Sequence, residues 1–144
     1  MSKTEIALEK FLKGFNCSQA IFITYSQELG LNEEIASKIA SPFGGGFASS
    51  GYICGVVTGA LMVIGLKYGN TKPEDKEVKK KTYMKAKEFI KRFLEKNGTI
   101  ICKELIKCDI STVEGRKKAE EEKLFVKICP KFIKNGIEIL ENIL

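Results

Sequence analysis

The chain has 144 residues and a mass of 16.0 kDa, with 44% apolar and 29% charged residues, as expected for one globular domain with a single core. It contains no histidine. This excludes Ser-His and Cys-His catalytic pairs, Cys₂His₂ zinc sites and haem held by a proximal histidine. Nucleophilic or soft-metal chemistry must therefore use the five cysteines, supported by carboxylates, lysines or tyrosines.

The net charge of +6 comes from lysine, because Arg92 and Arg116 are the only arginines. Proteins that read nucleic acids favour arginine, whose planar group matches phosphates and guanine edges. Lysines here alternate with acidic residues along the predicted helices, which is typical of a solvated surface. We therefore predict no nucleic-acid binding.

The sequence predicts neither a secretory signal nor a membrane span. Residues 1–13 alternate charged and apolar groups, whereas a signal peptide has a basic start and then an apolar run. The longest apolar run, Tyr52 to Leu66, has 15 residues, and a bilayer needs roughly 20. We expect a cytoplasmic protein, in which cysteines serve metals or redox turnover more often than stable disulfides.

Helical patterns follow one another along the chain, and no segment alternates as a strand does. Ser2, Asn16 and Asn32 are predicted N-caps of the first three helices. We expect these helices to end near Gly14, near Gly30 and at Ser41-Pro42, where the residue before proline is driven out of the α region.

A glycine-rich stretch at residues 44–51 precedes a helix that we expect to be buried on all sides. The remaining elements are this buried helix (Ile53–Lys67), the longest helix (Thr71–Gly98), a short one (Thr99–Lys107) and two last segments (Glu114–Val126 and Pro130–Ile143). With no repeat and no linker, residues 1–144 predict an all-α, single-domain helical bundle around a buried Gly-rich central helix.

Four of the five cysteines fall at predicted helix N-termini: Cys17, Cys54, Cys102 and Cys129. Free backbone N–H groups and the positive end of the helix dipole gather there, and both favour thiolate over thiol. Cys108 is different, because it precedes Asp109 at a predicted helix end, where the dipole opposes a negative sulfur. A lone cysteine is more often a small core residue, but four in similar positions favour a site.

The glycines are interpreted as scaffolding. No strand precedes them and no phosphate-binding motif follows, so nucleotide binding is not predicted. Gly55 and Gly59 lie four residues apart on the buried helix, which allows a neighbouring helix to approach closely beside Cys54. No CxxC pair occurs, so a cysteine site must be assembled by the fold from distant helices.

The chain resembles the C_GCAxxG_C_C family of redox-active proteins, which is named after its cysteine pattern. The matching segments are residues 14–20 (GFNCSQA), 43–46 (FGGG), 51–62 (GYICGVVTGALM) and 102–106 (CKELI), together with Asp109 and Cys129. The resemblance implies a helical, cytoplasmic protein whose four signature cysteines are Cys17, Cys54, Cys102 and Cys129. Cys108 has no counterpart in the motif, and Val56 stands where the family has alanine.

Two functions remain open. In the first, the four cysteines are redox-active thiols that cycle through a disulfide with a redox partner protein, Cys54 being the nucleophile and Cys17 the resolving thiol. In the second, Cys17, Cys54, Cys102 and Cys129 are metal ligands that hold zinc or an iron–sulfur cluster. An inert helical domain that binds a partner protein is a third interpretation. The sequence assigns no oligomeric state.

Overall fold

The computed structural model describes residues 1–144 and is all-α, as predicted. Its eight helices are α1 (Lys3–Leu12), α2 (Cys17–Ser26), α3 (Glu33–Ala40), α4 (Gly55–Tyr68), α5 (Lys76–Asn97), α6 (Cys102–Leu105), α7 (Val113–Glu121) and α8 (Leu124–Ile143). No helix combines the length and the apolar character needed to cross a membrane.

The predicted caps of the first three helices are confirmed. The Ser2 side chain accepts a hydrogen bond from the Glu5 amide at 3.1 Å. Asn16 and Gln19 form a reciprocal capping box at the start of α2. Asn32 accepts from the first turn of α3. Each cap satisfies amides that lack a partner within the helix, so these starts are fixed by local sequence.

The end of α3 departs from the prediction in its cause. The helix does stop at Ala40, but Ser41 keeps helical dihedral angles (φ −50°, ψ −47°) and a 3₁₀ turn runs over Ser41–Phe43. The steric effect of Pro42 therefore does not drive Ser41 out of the helical region. The proline instead occupies an early position of the turn, where its missing N–H costs no hydrogen bond.

Three boundaries in the second half also differ from the prediction. Helix α5 begins at Lys76, after a turn that contains Pro73. The short helix covers only Cys102–Leu105. The last two helices meet at Lys123, which adopts a left-handed conformation (φ 53°), so that α8 already begins at Leu124.

Helix α4 is the predicted central helix, but it is not buried on all sides, because the stripe that contains Thr58, Leu61 and Met62 is only half-buried. Glycines on its buried side set its distance from α2. A Cβ atom on Gly59 would lie 2.8 Å from the Ser18 carbonyl oxygen and 3.0 Å from the Ile21 Cβ. A Cβ atom on Gly55 would lie 2.9 Å from the Ser18 amide nitrogen. The predicted close approach of a neighbouring helix is thereby confirmed, and that neighbour is α2.

Between the 3₁₀ turn and α4, the chain makes a left-handed turn. Five consecutive residues, Gly45 to Ser49, have φ values between 51° and 68°, and three of them are not glycine. Hydrogen bonds from the Ala48 amide to the Pro42 carbonyl (2.8 Å) and from the Tyr52 amide to the Gly46 carbonyl (2.9 Å) hold the turn. Edge-to-face contacts of the Phe47 ring with Phe43 and Tyr52 cover it.

The two interior glycines Gly59 and Gly65 of α4 provide a matched test of this packing. We expect Gly59→Ala to lower the free energy of unfolding by about 1–3 kcal/mol, because its methyl group would enter the α2 backbone. A methyl group at Gly65 would meet nothing within 4 Å, so Gly65→Ala should stabilise the helix by about 0.5–1 kcal/mol. Urea denaturation measures both, and effects of the same sign would contradict the close approach.

Candidate functional site

The four cysteines that the sequence singled out converge on one small pocket in the core. Cys17, Cys54, Cys102 and Cys129 line it together with Gly45, Gly55, Leu105, Ile106, Phe125 and Phe132. Its volume is about 20 Å³, which is enough for one water-sized occupant. All four side chains are buried and carry free thiols. The fold thus assembles a site from residues that are up to 112 positions apart, from Cys17 to Cys129.

Three of these cysteines occupy helix starts, as predicted. Cys17 is the first residue of α2, Cys54 is the N-cap of α4, and Cys102 is the first residue of α6.

The predicted helix start at Cys129 is wrong. Cys129 lies in the interior of α8, because the helix begins at Leu124 and continues through Pro130, its seventh residue. Proline is preferred at the first helical position, but the packing of α8 outweighs its missing N–H and its steric clash here. Cys129 therefore reaches the pocket from the second turn of α8 and not from its first residue.

Two backbone hydrogen bonds, which the sequence did not predict, hold Cys54 and Cys102 in place. Ile53 and Ile101 form an isolated antiparallel bridge. The Cys54 amide donates to the Ile100 carbonyl at 2.8 Å, and the Cys102 amide donates to the Tyr52 carbonyl at 2.5 Å. The one available signal is that each cysteine follows a β-branched isoleucine, Ile53-Cys54 and Ile101-Cys102, a residue type that favours extended backbone.

Gly46 allows the glycine loop to lie directly against this bridge. A Cβ atom on Gly46 would lie 2.5 Å from the Tyr52 amide nitrogen and 2.8 Å from the Cys102 Cβ. The backbone of the loop therefore forms part of the wall around Cys102. The prediction that the glycines serve as scaffolding for an interior site is consistent with this contact.

Burial, rather than the helix termini, governs the acidity of the thiols. Burial raises the pKa of Cys54 to about 12, and the amides of Val56 and Val57, which lower it, only partly offset this effect. The pKa of Cys102 is raised to about 12, mainly by burial and further by the nearby Cys129. The prediction that a helix start makes Cys54 a ready thiolate is therefore wrong, because desolvation of the charged sulfur costs more than the amides return.

Cys129 is the neighbour with the largest effect on the acidity of Cys17. A hydrogen bond with the Cys129 side chain, followed by burial, raises the pKa of Cys17 well above its usual range. The charges of Cys54 and Cys102 act on Cys17 in the same direction but more weakly. Cys129 thus contributes to the raised pKa of all three other pocket thiols, and it is the largest cause only for Cys17.

The fifth cysteine lies outside the pocket. Cys108 is buried in the turn after α6, and its thiol donates to the Gly115 carbonyl oxygen at 3.2 Å. It does not line the cysteine pocket. This agrees with the absence of a counterpart for Cys108 in the family motif.

Four thiols are a suitable donor set for zinc or an iron–sulfur cluster, but their arrangement does not fit either. No group of three or more cysteine or carboxylate side chains is disposed so that it could hold one metal ion. The pocket volume of about 20 Å³ is also too small for a cluster of several iron and sulfide atoms. No lysine or arginine lines the pocket to balance thiolate charge.

The raised thiol pKa values predict a stability that falls in alkaline solution. The folded protein keeps its protons on Cys54 and Cys102 up to about pH 12, whereas unfolded cysteine releases its proton near pH 8.5. Between these pH values the unfolded state binds fewer protons, so the free energy of unfolding decreases as pH rises, by up to about 1.4 kcal/mol per pH unit for each cysteine.

Urea denaturation of the reduced protein from pH 8 to pH 11 tests this expectation with two variants. We expect Cys54→Ala to show a shallower decrease than the unmodified protein. The control Val57→Ala truncates a buried side chain of α4 but removes no titrating group. Its free energy of unfolding should therefore decrease with pH as steeply as that of the unmodified protein. Burial also raises the pKa of Tyr25, but this contribution is the same in all three proteins and cancels in the comparison. Equal slopes for all three proteins would contradict the assignment to Cys54.

Comparison with known proteins places these residues in a family. The profile of the family described as "Putative redox-active protein (C_GCAxxG_C_C)" matches residues 15–143. An "Uncharacterized protein" of Archaeoglobus fulgidus is 28% identical over 115 residues, which cover 74% of this chain and 76% of that protein. No solved structure matches the chain. The family match spans all four pocket cysteines, and the chain belongs to the C_GCAxxG_C_C family.

Proposed function

We propose that this chain is a thiol–disulfide redox protein whose working pair is Cys17 and Cys129. The observation that carries the proposal is that both cysteines line one small pocket in the core, where Cys129 is the neighbour that most strongly raises the pKa of Cys17. A disulfide between two thiols that line the same pocket leaves no charge in the core.

The chemistry follows from the neutrality of the pocket. Oxidation of Cys17 and Cys129 releases two electrons and two protons and forms one S–S bond, so neutral thiols give a neutral disulfide. The reverse step needs a dithiol or another two-electron reductant. A cytoplasmic location would favour the reduced form at rest, because the glutathione and thioredoxin pools keep thiols reduced there.

This proposal assigns roles different from those predicted from the sequence. Cys17 lines both the pocket and an open groove at the surface outside it, whereas Cys54 lines only the pocket. We assign Cys54 and Cys102 to the inner side of the pocket, where each lies within electrostatic reach of Cys129. A disulfide on Cys129 can exchange onto either of them, which would carry oxidising equivalents further into the core.

One observation supports the alternative of a Cys₄ metal protein, namely the convergence of four thiols on one point of the core. The arrangement and volume described above weigh against it. The two functions also differ in the state of the thiols, because metal binding requires thiolates and releases protons, whereas the neutral pocket favours protonated thiols or a disulfide.

Stepwise oxidation tests the proposed pair. We expect mild hydrogen peroxide, followed by alkylation of the remaining thiols and peptide mapping, to give a Cys17–Cys129 disulfide before any other. Dithiothreitol should reverse it. Cys17→Ser and Cys129→Ser should each abolish this product, whereas Cys108→Ser should leave it unchanged, since Cys108 lies outside the pocket.

Metal analysis of the same preparation, purified without oxygen, separates the alternative. Iron with sulfide, or zinc, bound in proportion to protein and lost on Cys17→Ser would favour the Cys₄ site. A disulfide that includes Cys108, or no internal disulfide at all, would contradict the assignment of Cys17 and Cys129.

A further inference from the structure

An open groove lies directly outside the cysteine pocket. It is formed by the turn between α1 and α2, the glycine loop and the start of α8, and its volume is about 420 Å³. Three residues line both this groove and the cysteine pocket, namely Cys17, Gly45 and Phe125. The two spaces therefore share a wall, and a molecule in the groove is separated from the pocket only by these residues.

Cys17 is the one pocket cysteine that also lines the groove. Cys54, Cys102 and Cys129 line only the inner space. Any reagent that enters from the groove consequently meets the Cys17 sulfur before the other three. Cys129, the neighbour with the largest effect on the pKa of Cys17, lines the pocket behind this wall.

The groove contains no charged side chain, although 29% of the chain is charged. Its walls include three phenyl rings, from Phe11, Phe15 and Phe125, and its polar groups are uncharged. Three other surface grooves differ, because each is lined by charged side chains such as Glu33, Lys38 or Arg92. A carboxylate in the uncharged groove would lose water without gaining a cationic partner, whereas a neutral aliphatic group would lose nothing.

We propose that this groove binds a small uncharged disulfide and delivers it to Cys17, which is the first sulfur to react. The inference rests on the proposed redox function of the Cys17–Cys129 pair and adds its substrate class. Cys17 attacks one sulfur of R–S–S–R, forming a Cys17–S–S–R bond, and the first R–S⁻ leaves and takes up the Cys17 proton. Cys129 then attacks the Cys17 sulfur and closes the Cys17–Cys129 disulfide, and the second R–S⁻ leaves and takes up the Cys129 proton. Two protein thiols are oxidised and one external disulfide is reduced.

Two matched probes test the substrate class, 2-hydroxyethyl disulfide (neutral) and 3,3′-dithiodipropionate (dianionic). Cys129→Ser is used, because without the resolving thiol the mixed disulfide accumulates on Cys17 and mass spectrometry can locate it. The reaction rate of each probe with the folded protein is divided by its rate with the urea-unfolded chain, which corrects for the intrinsic reactivity of the probe. Rates are measured at 1 M salt, where screening reduces the attraction between the dianionic probe and the net charge of +6. We expect the neutral probe to react at least about tenfold faster than the dianionic probe, a ratio that corresponds to about 1.4 kcal/mol. The neutral probe should modify Cys17 first.

Two tryptophan variants test the groove itself. Ser41→Trp places an indole in the groove from an exposed position and should slow the neutral probe about tenfold or more, a change of about 1.4 kcal/mol in barrier. Lys38→Trp, three residues earlier and also exposed, adds the same side chain to a different groove and should leave the rate unchanged.

The readouts separate this inference from the function on which it rests. Suppose that peroxide still gives the Cys17–Cys129 disulfide. The substrate inference is then overturned, and the proposed function is kept, if the two probes react at equal rates, if another cysteine is modified first, or if Ser41→Trp does not change the rate. Reaction only with protein disulfides, and with neither small probe, would likewise overturn it in favour of a protein partner. Failure of peroxide to produce the internal disulfide would overturn the proposed function instead.

Discussion

The close approach of α2 to α4 is the constraint on which the cysteine site depends. Gly55 and Gly59 remove the side chains that would otherwise separate the two helices, and a Cβ atom on Gly55 would lie 3.1 Å from the Cys17 Cβ. The start of α4 is consequently pressed against the start of α2, which brings Cys54 and Cys17 to the same pocket. The buried Ser18 hydroxyl accepts a hydrogen bond from Thr58 at 3.3 Å across this contact.

The absence of cations around the thiols gives the pocket its chemical character. A protonated thiol packs as a small apolar group, so four of them can be buried at little cost, whereas a thiolate in the same place is strongly disfavoured. Both neutral forms, dithiol and disulfide, are compatible with this core. Loss of electrons is therefore tied to loss of protons, and a more alkaline solution favours the disulfide.

Local signals carried most of the sequence prediction. The caps at Ser2, Asn16 and Asn32 and the glycine spacing on α4 depend on residues within one or two turns, so the sequence reveals them directly. The position of Cys129 in the interior of α8 is not revealed in this way, because the long-range packing of α8 overrides the local preference of Pro130. The bridge between Ile53 and Ile101 joins residues that are 48 positions apart, and no short-range sequence pattern predicts which two segments pair.

The identity of the pocket cysteines was accessible from the sequence, but their reactivity was not. A helix start favours a thiolate only where water still reaches the sulfur, and the degree of burial of Cys54 is a property of the assembled core. The groove beside Cys17 is likewise formed by three separate parts of the chain. Its lack of charge becomes visible only when those parts are brought together.

The left-handed turn at residues 45–49 makes one wall of the pocket less durable than the helices around it. Phe47, Ala48 and Ser49 each hold a conformation that costs a non-glycine residue about 1–2 kcal/mol, and a local opening of the loop regains that energy. Amide protons of this segment should consequently exchange with solvent through openings far more frequent than global unfolding. Since Gly45 belongs to the wall between the groove and the pocket, the backbone that carries this conformational cost is also part of what separates the two spaces.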